Sequence, residues 1–452
     1  MSKYNLTEGS IVSKLFFVAL PLIGTQIIQM TYNLTDMFWL GRLSSDAVAA
    51  SGTVGLFLWM SMAFQIYGRM GAEIGVSQNI GRGDKEKALS FARSSLLIAV
   101  ALGIVLAIIF CFGRVQLIGF FRIREANVVQ DAKDYLAIVS WGLPFTFLAA
   151  AVSGVFNGSG NTRISLLING AGLVINMVLD PLLIFTAGLG IRGAAVATVA
   201  AQVFAALFSM VALAKYKNRP FRRIRIFKRP DKDTIKQIFK WVVPISVENF
   251  LFTFLTMFVA ALIASYGAGA IAAQRVGSQM DSLTWLIGFG YASALTAFTG
   301  QNFGAEKWGR INRGFRISAV LMIIWGAIVG LILFFLGRTL ISLFIPNDPG
   351  VVDIGVRYLR NLAFVQIFIC LEGVAGGVFR GQGKTVPPSI ASISTNALRV
   401  VFAYILARLT PLGLDGVWLS LAVGAGIRGA WIFIWYLFYS RKIQKVDAVR
   451  PG

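Results

Sequence analysis

Long apolar stretches recur along the whole chain, and they constrain its fold more than any other feature. About 20 apolar residues are enough for a helix to cross the hydrocarbon core of a bilayer. Membrane β-strands need only about 9–11 residues, so stretches of this length exclude an outer-membrane barrel. We therefore predict an all-α polytopic membrane protein. The twelve predicted transmembrane helices cover residues 13–40, 47–80, 94–120, 133–158, 163–187, 191–214, 237–265, 270–303, 314–340, 356–381, 386–408 and 415–440.

The composition agrees with a membrane protein that is not an enzyme. Of the 452 residues, 56% are hydrophobic and 14% are charged, against roughly 25% charged in soluble domains. The chain has no histidine, and its two cysteines lie inside apolar stretches. His-based triads and His metal sites are therefore absent, and no nucleophile is paired with a base. We expect no cofactor beyond a coupling ion.

The net charge of +22 is concentrated in the connections between the spans. This placement is typical of topology selection, in which cytoplasmic loops are rich in lysine and arginine. It does not resemble a nucleic-acid-binding stripe, so we expect no nucleic-acid partner. Basic connections alternate with weakly charged ones, and the connection with Arg114, Arg122 and Arg124 is the exception. The alternation predicts a multi-pass protein of the plasma (inner) membrane with both termini in the cytoplasm.

The two halves of the chain repeat each other at one constant offset of 223 positions. The pattern Q-N-x-G at 78–81 returns at 301–304, and G-V-F-x-G-x-G-x-T at 154–162 returns at 377–385. We call this the repeat offset, and it assigns each position of the first half a counterpart in the second. Glycines shared in this way indicate close helix approach or tight turns.

The repeat predicts two lobes of six helices each. The first lobe is 1–214, the second is 237–452, and 215–236 is a basic cytoplasmic linker. Six spans plus a linker give both lobes the same orientation, so a pseudo-two-fold axis along the membrane normal relates them. Two such lobes are suited to alternating access.

Two aspartates inside the spans of the first lobe are the main functional candidates, Asp36 and Asp180. An ionised side chain at the bilayer centre costs at least ~2.5–3.5 kcal/mol. Under the repeat offset, Asp36 corresponds to Val259 and Asp180 corresponds to Ala403. The scaffold therefore tolerates apolar residues at both positions, which favours a function confined to the first lobe.

Helix geometry places three more polar side chains beside these aspartates. Tyr32 and Asn176 each precede an aspartate by four residues and share its helix face. The span that contains Thr198 runs inward from the outer face of the membrane. A rise of about 1.5 Å per residue places Thr198 at a depth similar to that of the two aspartates. We predict a cation-coupling site formed by Tyr32, Asp36, Asn176, Asp180 and Thr198.

This site suits either of two ions. Burial and a neighbouring like charge favour the protonated carboxyl group, so we prefer H⁺. Na⁺ is the alternative, because Asp36, Asn176, Asp180 and Thr198 offer hard oxygen ligands. A third interpretation is an uncharged aspartate whose hydrogen bond only helps the helices to pack together. Pro181 follows the second aspartate and is expected to bend its helix.

Other charged side chains inside the spans are candidates for substrate binding or gating. They are Arg69, Glu73, Glu248, Asp281, Glu372, Arg399 and Arg428. In the second lobe, the three acids and three bases (Arg275 included) could instead neutralise one another as a structural network. The first-lobe residues Arg69 and Glu73 lie four apart on one helix, and we expect them to form an ion pair.

Several motifs, taken together, resemble the multidrug and toxic compound extrusion (MATE) family. They are YNLTDMFWLG, SQNIGRGD, FNGSGNTR, NMVLDP and GxxGAAVAT. The resemblance covers nearly the whole chain and is strongest to the DNA-damage-inducible-F-type branch. It implies a cation-coupled antiporter that exports amphipathic, often cationic, compounds by alternating access. The five polar residues of the first lobe resemble the cation site of that branch.

The resemblance also leaves an alternative function open. A lipid-linked precursor flippase of the same superfamily is disfavoured by twelve spans, but the arginines of the second lobe keep it open. A channel is disfavoured by the two-lobe repeat. We expect a monomer whose partners are the lipid bilayer and small amphipathic or cationic compounds.

Overall fold

The computed structural model describes residues 4–121, 123, 125–215, 231–346 and 348–449, and the regular structure of these residues is helical. The helices are α1 (Ile11–Leu43), α2 (Ser45–Arg82), α3 (Lys85–Phe112), α4 (Arg114–Gly119), α5 (Ala126–Ser140), α6 (Leu143–Gly158), α7 (Thr162–Pro181), α8 (Gly190–Lys215), α9 (Lys232–Ala264), α10 (Ala268–Gly304), α11 (Trp308–Phe344), α12 (Pro349–Ala363), α13 (Gln366–Gly381), α14 (Val386–Arg408) and α15 (Leu414–Val449). Arg122, Arg124 and linker residues 216–230 lie outside the described residues.

Helices long and apolar enough to cross a membrane account for most of the predicted spans. Nine such helices occur among the described residues. Two further spans are bent pairs, α5 with α6 at 47° and α12 with α13 at 48°, which brings the total to eleven. The predicted span 270–303 is the 37-residue helix α10, which is long enough but less apolar because Gly, Ser, Thr and Gln recur in it. The chain is an all-α polytopic membrane protein.

Two compact units make up the described chain. The first comprises Met1–Glu8 and Phe16–Val242, and the second comprises Gly9–Leu15 and Val243–Gly452. Helix α9 begins at Lys232, and its first turns pack within the first unit. There the Trp241 ring stacks on a phenylalanine of α3 with 5.3 Å between ring centroids.

Close helix contacts in one unit recur in the other at positions related by the repeat offset. A Cβ atom on Gly154 would lie 2.2 Å from a carbonyl oxygen of α2, and one on Gly377 would lie 2.6 Å from a carbonyl oxygen of α10. Gly160 and Gly383 have positive φ angles of 83° and 72° at the ends of their spans. A side chain is excluded at the first pair and strained at the second. The predicted roles of these glycines in close approach and tight turns are therefore confirmed.

Candidate functional site

Three helices of the first unit bring the five predicted polar residues together. Helix α1 supplies Tyr32 and Asp36, α7 supplies Asn176 and Asp180, and α8 supplies Thr198. The two aspartates are close enough to interact electrostatically. The tyrosine ring lies beside both aspartates and the threonine. Residues from distant parts of the chain thus meet at one place.

Helix α7 contributes the most deeply buried part of this cluster. Asn176 and Asp180 are 0% exposed, and Thr198 on the neighbouring helix is 5% exposed. The Asn176 side-chain amide donates a hydrogen bond of 3.0 Å from Nδ2 to Asp180 Oδ1. This bond spans one helical turn, which is the geometry that the four-residue spacing predicts. It occupies only one of the two carboxylate oxygens.

Each of the five residues has a buried oxygen atom that makes no close hydrogen bond within the described ranges. The atoms are Tyr32 Oη, Asp36 Oδ1, Asn176 Oδ1, Asp180 Oδ2 and Thr198 Oγ1. A buried polar atom without a partner costs about 1–3 kcal/mol, so native structures rarely retain one without reason. Neither aspartate is in an ion pair in this part of the chain. Five hard oxygens without close hydrogen bonds form a ligand set for a small cation.

The charge of this ligand set is low for a metal site. No group of three or more His, Cys, Asp or Glu side chains that could hold a metal ion occurs among the residues described. A monovalent ion would therefore depend on the amide and hydroxyl oxygens as well as the two carboxylates. A proton needs only one carboxyl group, so the donor set fits both predicted ions.

Tyr135 on α5 is a further member of the cluster, and the sequence did not indicate it. The residue is 4% exposed, and its side chain lies beside Thr198 and within electrostatic range of Asp36 and Asp180. A single tyrosine in an apolar span has no spacing that links it to an acid on another helix. Its counterpart under the repeat offset is Tyr358, also a tyrosine. The repeat therefore gives no sign of a role for Tyr135 that is confined to the first lobe.

Directly after the buried aspartate of α7, the helix changes its geometry. Pro181 ends α7, and Leu182–Thr186 continue as one π-helical turn. Because proline has no N–H, the regular hydrogen-bond ladder is interrupted there. The backbone N–H of Ala187 instead bonds the carbonyl oxygen of Leu182 at 2.8 Å. Single π turns inside helices are frequent at functional sites.

The predicted ion pair between Arg69 and Glu73 is wrong for the described chain. The two side chains form no ion pair with each other among the described residues. The Glu73 side chain is fully buried, while Arg69 is half-buried. An arginine placed N-terminal to a glutamate at this spacing has the weaker of the two possible orientations.

The second unit contains one buried ion pair and not the predicted network of six charges. Arg428 Nε lies 2.7 Å from Glu372 Oε2, and the two side chains are 5% and 17% exposed. The same guanidinium donates from Nη1 to Asn396 Oδ1 at 3.3 Å. It also lies 5.8 Å from the centre of the Trp285 ring. Arg275 is exposed and takes no part.

The other two acids of the six-charge set accept hydrogen bonds from neutral donors. Asp281 accepts from Gln366 Nε2 at 2.8 Å and from Trp285 Nε1 at 3.1 Å. Glu248 accepts from the Ser389 hydroxyl at 2.8 Å. A network that neutralises all six charges was one of two interpretations of the sequence, and among these residues only Arg428 and Glu372 form an ion pair.

Membrane-spanning helices in two repeated units, with buried polar atoms inside the spans, define the class of the protein. It is a polytopic α-helical membrane protein, and its family and relatives make it a transporter and not an enzyme. A family model agrees with this class: the MatE model matches twice, at residues 21–182 and 244–405. The start and the end of the second match are the counterparts, under the repeat offset, of the start and the end of the first. The chain belongs to the MatE family.

Individual relatives match over nearly their whole length. The chain is 27% identical to the probable multidrug resistance protein NorM of Thermotoga maritima, covering 94% of this chain and 92% of that protein. It is 25% identical to the multidrug export protein MepA of Staphylococcus aureus, covering 94% and 93%. The crystal structure of MATE in complex with MaD3S shares the fold with a TM-score of 0.92, at 22% identity and 98% and 99% coverage.

Proposed function

We propose that this protein is a cation-coupled antiporter that exports amphipathic or cationic compounds by alternating access. H⁺ is the preferred coupling ion, and Na⁺ is the alternative. Family membership and the names of two relatives, a probable multidrug resistance protein and a multidrug export protein, support drug export. The proposal that a cation is the coupling ion rests on the set of five buried oxygens without close hydrogen bonds.

The physical basis of coupling is the charge of the two buried aspartates. With no cation bound, Asp36 and Asp180 place like charges near each other inside the membrane, which is unfavourable. A bound proton or Na⁺ offsets that charge and satisfies oxygens that otherwise lack a close hydrogen bond. The two occupancy states therefore differ in free energy, and a conformational equilibrium can respond to that difference. An inward gradient of the ion would then drive export.

We also infer where and how the protein acts in the cell. The basic connections favour a plasma-membrane protein with both termini in the cytoplasm. A pseudo-two-fold axis along the membrane normal follows from six spans per lobe. One chain contains both lobes and the whole candidate site, so a monomer is sufficient for transport.

The coupling ion is tested by efflux from proteoliposomes that contain the purified protein and a fluorescent cationic compound. An imposed pH gradient in sodium-free buffer should drive transport of the compound, and a sodium gradient at equal pH should not. Transport that responds to sodium alone would overturn the preference for H⁺. Transport that responds to neither gradient would contradict coupling altogether.

The site is tested by the substitution Asp36→Asn. We expect export to be abolished while expression stays near the wild-type level, because the amide keeps the volume and loses the charge. Asp134→Asn is the matched control. Its carboxylate is also on a spanning segment of the first unit, but it is paired with Arg192 at 2.6 Å and partly exposed. Unchanged drug resistance in cells with Asp36→Asn would refute the coupling assignment.

A lipid-linked precursor flippase remains the second candidate function. One observation favours it, the deeply buried guanidinium groups of Arg399 and Arg428 in the second unit. Such groups recognise phosphates as well as carboxylates. Translocation of a fluorescent lipid diphosphate in the same proteoliposomes, without any response to a cation gradient, would support the flippase and contradict the antiporter.

A further inference from the structure

Arg399 on α14 is a buried cation without a carboxylate partner. Its side chain is 9% exposed, and none of the four ion pairs in the described chain includes it. Nη2 donates to the Thr256 hydroxyl at 3.1 Å, and the guanidinium carbon lies 5.5 Å from the centre of the Phe252 ring. Nε is buried and has no acceptor. One hydroxyl and one aromatic ring do not compensate a full charge in this environment.

The other charges nearby do not supply the missing counter-ion. Arg428 is the charged group that acts on Arg399 most strongly, and it is a second cation. Its own charge is paired with Glu372 at 2.7 Å. Asp281 is held by two neutral donors. No carboxylate among the described residues therefore lies within ion-pair distance of Arg399.

The internal repeat shows what Arg399 replaces. Under the repeat offset it corresponds to Asn176, whose amide oxygen belongs to the candidate cation site of the first unit. The counterparts of the two aspartates, Val259 and Ala403, are buried in one apolar cluster with Tyr358. The second unit has therefore exchanged two carboxylates for hydrocarbon and a neutral amide for a guanidinium. The second unit thus has a positive charge at the counterpart of a neutral amide and no negative charge at the counterparts of the two aspartates.

Access to the guanidinium end is the remaining requirement. The aliphatic part of the Arg399 side chain packs against Gly424, where an added Cβ would lie 3.2 Å away. The charged end points toward α9, and there the Phe252 ring is 36% exposed. An acidic group on an apolar body could contact the ring and the guanidinium group at the same time.

We propose that the second unit binds an amphipathic anion, with its carboxylate or phosphate on Arg399 and its apolar part against Phe252. The guanidinium offers the fork of N–H groups that matches such oxyanions. This site is separate from the cation site of the first unit, and its occupancy is measured at equilibrium. Failure of the export proposal and failure of this one are therefore distinguishable.

The test is binding of two radiolabelled probes of equal chain length to the full-length protein in phosphatidylcholine nanodiscs. The probes are dodecanoate and dodecyltrimethylammonium, with empty nanodiscs as the background. We expect saturable dodecanoate binding that Arg399→Gln weakens at least tenfold. Arg399→Lys keeps the charge and loses the fork, so its affinity should lie between the two. The affinity for dodecyltrimethylammonium should not fall in either variant.

Arg408→Gln is the matched control. Arg408 lies on the same helix, donates to the Ser265 hydroxyl at 2.8 Å and sits 5.6 Å from the centre of an aromatic ring, but it is exposed. Its substitution should leave dodecanoate binding within twofold of wild type. The proposal is overturned if Arg399→Gln also binds dodecanoate within twofold of wild type. Should that variant not fold, absence of saturable dodecanoate binding to the wild type overturns it equally.

The source of the anion is resolved by adding phosphatidylglycerol to the nanodiscs. Competition with dodecanoate at Arg399 would assign the site to a lipid headgroup. Undiminished dodecanoate binding would assign it to an amphipathic anion that is not a bilayer lipid. Both results agree with an anion site, because the chemistry that binds the acid group is the same.

Discussion

Replacement of Asp180 by asparagine separates a cation ligand from a packing contact. The carboxylate is fully buried, accepts one hydrogen bond from Asn176 and leaves Oδ2 without a donor. Asparagine keeps the volume and can still accept the bond from Asn176. The substitution therefore removes a charge and replaces the acceptor Oδ2 by an amide nitrogen that donates.

The expected change in stability follows from these contacts. A hydrogen bond to a neutral acceptor in place of a charged one loses about 1 kcal/mol. Removal of an ionised group from the spans gains at least ~2.5–3.5 kcal/mol. When no cation is bound, the variant should be more stable by about 2 kcal/mol. A cation at 100 times its Kd stabilises only the wild type, by about 2.7 kcal/mol. The order of stability should then reverse.

Thermal unfolding of the purified proteins in detergent measures this reversal. At alkaline pH without sodium, Asp180→Asn should have the higher Tm, by a few degrees. Acidification or added sodium should raise the Tm of the wild type past that of the variant. Asp134→Asn, which lies outside the cluster, should follow the wild type under both conditions. A lower Tm for Asp180→Asn under both conditions would show that Asp180 is a hydrogen-bonded packing residue.

Two further pairs of substitutions test the cluster and the helix packing. Tyr135→Phe should raise the cation concentration needed for stabilisation about tenfold, as measured by melting curves at a series of cation concentrations. Tyr358→Phe is the control and should leave that concentration unchanged. Equal shifts in the two variants would contradict a site confined to the first lobe. Gly154→Ala should lower the free energy of unfolding by about 1–3 kcal/mol because its Cβ would meet a carbonyl oxygen at 2.2 Å. At Gly52, an added Cβ has no atom within 4 Å. Gly52→Ala should therefore stabilise the helix by about 0.5–1 kcal/mol. A similar loss of unfolding free energy in both variants would refute the packing argument.

Local patterns in the sequence predicted most of the fold. Apolar stretches of membrane length, the internal repeat and the shared glycines can all be read from short segments of the chain. The four-residue spacing also predicted that Asn176 lies beside Asp180. Only α10 departed from the pattern, because it is long enough to span but has no membrane-length stretch free of recurring Gly, Ser, Thr and Gln.

Pairing between distant helices was decided by the tertiary structure alone. Hydropathy and spacing cannot show which buried oxygens lack a donor, or that Tyr135 reaches the aspartates of two other helices. Six charges in the second lobe looked balanced in the sequence, yet only Arg428 and Glu372 meet as an ion pair. Arg399 is left without a carboxylate because its facing residues on α9 are uncharged. Charge compensation depends on distances of a few ångströms between helices, and no local pattern encodes those distances.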